Sequence, residues 1–145
     1  MPFQSLSDAQ QIEITVAGPG DANRLYLCKG IAQGYFSVQA QAGQWQNAND
    51  TWQFNVGPDL DSTQFRRAIA TVGFAGLQEN EAGPSYMSWM IQTVVADFDD
   101  DGGKVRLSVT NAIQVGNQEP PGEPTIVAGV SALTYDVSIL AAIAA

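Results

Sequence analysis

Four of the fifteen acidic side chains sit within five residues in the stretch Asp97-Phe98-Asp99-Asp100-Asp101-Gly102-Gly103. The spacing Asp97-x-Asp99-x-Asp101-Gly102 reproduces the first six positions of a calcium loop. There, alternate carboxylates converge on a hard cation and a glycine lets the chain turn back around it. The helical form of that loop closes with a bidentate Glu at its twelfth position, where this chain has Ser108. The flanks also read as strands, and Asp-Gly is itself common hairpin-turn chemistry. The sequence therefore favours a solvated turn, with calcium at Asp97, Asp99 and Asp101 as the alternative. No motif demands a cofactor.

A second constellation lies in "AGQWQNANDTWQF", residues 42–54. Read as a hairpin, its best register opposes Gln44 to Trp52, Ala42 to Phe54 and Ala40 to Val56, because this gathers the apolar residues on one face. Trp52 then belongs to the core, and Trp45 stands outside with Gln39, Gln41, Gln53 and Asn55. An exposed indole beside Asn47, Asn49 and Asp50 has the sparse aromatic-plus-polar character of a small-ligand rim. The indole would stack on a pyranose face and the polar groups would take its hydroxyls, so the ligand class expected is a glycan. The competing reading gives Gly43 a bulge that turns Trp45 inward. In "GPSYMSWM", Trp89 is expected in the core.

Catalysis finds little support. The chain has no histidine, which excludes Ser-His-Asp and Cys-His arrangements and any His-containing metal site. Neither a P-loop nor a dinucleotide fingerprint occurs. A carboxylate pair of the kind glycosidases use remains as a third reading, behind binding and assembly, because fifteen acids offer such pairs.

The net charge is −9, with only six basic residues. Nucleic acid and anionic membrane surfaces both need more cationic side chains than that. Charged residues make up 14% of the chain, against roughly 25% in ordinary soluble domains. Fourteen Gln and seven Asn take their place, giving a polar but neutral surface suited to adhesion or assembly. The single cysteine, Cys28, lies in the apolar run "RLYLC", where an inert buried thiol is expected. The N-terminal stretch shows no basic region followed by an apolar one, and no apolar run approaches the roughly 20 residues of a membrane span. Neither a signal peptide nor a transmembrane segment is expected, and the compartment is not legible.

The elements that must position these residues repeat with period two. Ile12, Ile14 and Val16 alternate with polar residues in a strand expected to be half-buried, ended by Gly18-Pro19-Gly20. Phe36, Val38, Ala40 and Ala42 share a face, as do Trp52, Phe54 and Val56. Val105, Leu107, Val109, Ile113 and Val115 form another such set, and Leu133, Tyr135, Val137 and Ile139 a fourth. Residues 61–74 fit helix or strand, with Thr71 to Phe74 favouring strand, and "GNQEPPGEP" must be an irregular loop. Six to eight short strands predict a single β-rich domain over 1–145. Its expected fold is an antiparallel β-sandwich, jelly-roll or Greek-key-like, with a barrel as alternative. Met90, Val94 and Ala96 on one strand, and Leu140 on another, leave apolar outer faces. These predict a homo-oligomer and make a structural or assembly subunit the second functional reading.

Overall fold

The computed structural model describes residues 6–16, 24–81, 83 and 85–144. Gly18-Pro19-Gly20 lies outside them. The fold is all-β, with seven strands: β1 (Ser7–Thr15), β2 (Arg24–Ala40), β3 (Trp45–Val56), β4 (Phe65–Glu81), β5 (Ser85–Asp99), β6 (Lys104–Asn117) and β7 (Ile126–Ile143). They form two antiparallel sheets, ordered β1-β2-β7-β4 and β3-β6-β5. The long-range pairing is nested, β2 with β7 outside and β3 with β6 inside, as in a rolled-up hairpin of the jelly-roll kind. The stretch left between helix and strand is strand from Phe65 onward, laddered to β7.

Between the sheets lies one apolar core. Trp52, Phe54, Leu107 and Val109 of the three-stranded sheet meet Tyr26, Leu133, Tyr135, Val137 and Ile139 of the four-stranded one. The inward sets on β2, β6 and β7, and that of Trp52, Phe54 and Val56, are buried or partly buried as their alternation predicts, with Ala42 standing in the turn beyond the end of β2. Cys28 is buried, and burial pushes its thiol pKa up, so it is a poor nucleophile. The indole of Trp52 seats against the backbone of Gly34, where a Cβ would stand 2.7 Å from Cζ2.

Three local expectations are corrected. The first concerns the hairpin at residues 42–54. Gln46 to Asn49 form no turn but ladder continuously onto β6, from Gln46↔Val115 to Asn49↔Ala112. The reversal lies earlier, at Gly43, whose φ is +71°, and it carries the chain from one sheet to the other. Asn117 pins this crossover: its amide donates to the Ala40 carbonyl at 3.0 Å, and its carbonyl accepts from Gly43 N at 3.1 Å.

The second concerns β5. Its ladder to β6 shifts register between Ile91 and Thr93. The extra residue reverses the alternation, so Met90 points outward while Val94 and Ala96 lie opposite the buried Val109 and Leu107 and face the core. Val94 is thus not part of an outer apolar face.

The third concerns β1, whose period-two pattern is correct and whose orientation is inverted. Ile12 and Ile14 sit opposite Leu27 and Leu25 on the outer side, at 59% and 50% exposure, and Val16 is also exposed. The polar side faces inward, where the Tyr26 hydroxyl donates to Gln11 Oε1.

Candidate functional site

The residue rows on the outer face of the three-stranded sheet follow from the two ladders. Trp45, Gly116 and Tyr86 form one row across β3, β6 and β5. Asn47, Gln114 and Ser88 form the next, and Asn49, Ala112 and Met90 the third. Because β6 carries glycine at the first row, the Trp45 indole can lie down over it. Three indole atoms of Trp45 (Cδ2, Cε2 and Cη2) each come within 2.9 Å of the point a Gly116 Cβ would occupy. The indole therefore lies flat on the glycine. Its plane is 8° from that of Tyr86, with ring centroids 6.4 Å apart, and the two residues remain 58% and 64% exposed. The result is a pair of near-parallel aromatic rings, both open to solvent.

Beside it runs a groove of about 360 Å³ lined by Asn47, Asn49, Ser88, Met90, Ala112 and Gln114, with Trp89 and Ile113 at its floor. The polar side chains of Asn47, Asn49, Ser88 and Gln114 are exposed. Among the described residues none of them is held by a protein hydrogen bond, so their donors and acceptors are free for a ligand. Trp89 lies partly in the core, stacked 5.8 Å from Tyr135.

Sequence reasoning placed Trp45 outside and Trp52 inside, and both stand there, though through the β6 ladder and not through a hairpin. Asn47 and Asn49 join Trp45 on the outer face. Asp50 does not: it shares the inner side with Trp52 and accepts a hydrogen bond from Trp52 Nε1 at 3.1 Å. Tyr86, Ser88 and Gln114 were missed because they lie on other strands. The available signal was Gly116, a glycine interrupting the β-branched run of β6, which marks a close approach.

The acidic stretch is a hairpin. The β5–β6 ladder runs to Asp99↔Lys104, and residues 100–103 close the turn with Gly103 at φ +63°. Asp99 is buried and clamps it. Its Oδ2 accepts from Asn55 Nδ2 at 2.9 Å, and its Oδ1 lies 3.7 Å from the Arg106 guanidinium. The Asn55 amide foremost, then the Gly102 backbone amide, the Arg106 charge and the Asp101 amide hold the Asp99 carboxyl below its ordinary pKa, while burial pushes it the other way. Asp97 Oδ1 accepts from Phe98 N at 2.7 Å, and Asp101 is exposed. The structure does not draw Asp97, Asp99 and Asp101 together. Among the described residues no group of three or more acids or cysteines is placed to hold a metal ion.

Compared with protein-family models, curated proteins and solved structures, the chain matches none. The functional reading therefore rests on the residues of this face.

Proposed function

We propose that this protein is a non-enzymatic carbohydrate-binding module whose site is the outer face of the three-stranded sheet. The observation that carries the reading is the Trp45 indole laid flat over Gly116, parallel to Tyr86, at the head of a groove of uncommitted amides. A pyranose ring offers an apolar C–H face and equatorial hydroxyls. The first suits a flat exposed aromatic, the second suits Asn47, Asn49, Gln114 and Ser88. An open groove lets a chain of sugars lie along β6. Among the described residues lining it there is no carboxylate, which favours binding over hydrolysis, since glycoside cleavage needs a pair of them.

The test is a glycan array followed by calorimetric titration of the best ligand. Trp45→Ala is expected to lower affinity at least tenfold, about 1.4 kcal/mol, while the melting temperature stays near that of the wild type. An unchanged affinity in Trp45→Ala, or no glycan bound by the wild type, would remove the proposal.

A further inference from the structure

We propose that a second copy of this chain docks along the free edge of β1, extending the four-stranded sheet across a two-fold axis. This rests on nothing at the glycan face. Among the described residues β1 ends its sheet, paired with β2 alone, and every one of its nine residues is exposed. A strand edge offers a row of backbone donors and acceptors whose natural complement is another extended strand. Proteins usually guard such edges with bulges, prolines or unpaired charges. The opposite edge of this sheet is guarded in that way: the ladder of β4 is broken at Phe65/Arg67, Phe74/Gly76 and Gly76/Gln78. β1 has a single such shift among its described residues, between Ser7 and Gln10; from Gln10 to Thr15 its ladder is unbroken and holds no proline and no lysine. Its one charge in that span, Glu13, is already neutralised by Arg24 Nη1 at 3.0 Å.

The outer side chains point to a second copy and fix the register. An apolar row crosses the whole sheet, Ile12–Leu27–Leu140–Ile69, and arrives at the β1 edge unfinished. Antiparallel pairing of β1 with itself about Ile12 sets Ile12 against the partner's Ile12, so the two apolar rows join end to end on one face. The same register puts Glu13 opposite the partner's Gln11, a carboxylate facing an amide. Centring on Glu13 instead would oppose two carboxylates, which is unfavourable. The interface is isologous, as closed dimers require.

Sedimentation of the wild type at micromolar concentration is expected to give twice the 15.4 kDa chain mass. Because Cys28 is buried, Ile12→Cys supplies an exposed thiol on a clean background. Oxidation should link it into covalent dimers and leave Ile69→Cys, equally exposed on the far strand, unlinked. The double variant Ile12→Lys/Ile14→Lys should sediment as a monomer with its fold intact by circular dichroism. A wild type that stays monomeric at all concentrations would overturn the proposal. So would a dimer that links through Ile69→Cys and not through Ile12→Cys, since that would mean packing by the sheet face.

Discussion

The two halves of β3 run along the same partner strand in one unbroken register, yet they meet different surroundings. From Thr51 to Val56 every second side chain is buried, and the outer positions are engaged as well. Thr51 pairs with Thr110 hydroxyl to hydroxyl at 3.0 Å, and Asn55 donates to Asp99. From Trp45 to Asp50 no residue is buried, and the outward side-chain amides have no protein partner among the described residues. The ladder is equally good in both halves, so backbone pairing does not account for the difference. What differs is whether side chains meet one another or meet solvent. A face that stabilises itself at one end and leaves an aromatic and four polar groups uncommitted at the other has the division of labour expected of a binding sheet.

The largest effects should come from breaking the committed half. Trp52→Ala removes a fully buried indole and is expected to cost about 3–5 kcal/mol, measured by urea denaturation. Trp45→Ala should stay within about 0.5 kcal/mol, as exposed positions do. Equal losses at the two sites would erase the contrast. Below Trp52, Gly34→Ala would drive a Cβ to within 2.7 Å of an indole that has nowhere to move. Overpacking of that kind costs about 1–3 kcal/mol.

Next comes the clamp at Asp99. Its carboxyl is held below its ordinary value, so it contributes stability above the unfolded pKa of about 3.9 and loses it as pH falls through the lower folded value. The melting-temperature gap between wild type and Asp99→Asn should therefore be widest at neutral pH. It should narrow below about pH 4 as both forms come to carry a neutral group. Parallel melting curves over that range would show that the Asn55–Asp99–Arg106 contacts contribute nothing through charge.

Much of the committed half was legible in the sequence because alternation and burial are both local signals. Trp52, Phe54 and Val56 could be assigned inward from period alone, and Leu133 to Ile139 likewise. The errors arose where one added residue reverses the alternation or where a partner strand is distant. The register shift at Ile91/Thr93 turned Val94 and Ala96 inward, and nothing in "MIQTVVAD" marks it. For β1 the period was right and the side was wrong, because its apolar side faces outward on an edge strand. The face proposed to bind glycans was half legible: Trp45, Asn47 and Asn49 share one strand, but Tyr86 and Gln114 reach them only through the β6 ladder, some forty to seventy positions further along the chain. Asp50 was misassigned because its composition resembles its neighbours' while its parity does not.

The smallest expected change in stability is the sharpest test of the comparison. Gly116→Ala, at the open end, introduces a Cβ only 2.9 Å from three atoms of the Trp45 indole, much the same intrusion that Gly34→Ala makes on Trp52. Unlike Trp52, Trp45 has solvent above it and can rotate upright. Replacing a strand glycine by alanine also recovers roughly 0.5–1 kcal/mol of backbone entropy, which offsets the lost ring contact. Stability should consequently change by less than about 1 kcal/mol, while the parallel arrangement of Trp45 with Tyr86 is lost. Glycan affinity should then fall nearly as far as in Trp45→Ala, and the Trp45→Ala/Gly116→Ala double variant should bind no worse than Trp45→Ala alone. Such non-additivity is what two residues acting through one ring must show. If Gly116→Ala binds as the wild type does, the indole works upright, and the glycine beneath it serves packing and not recognition.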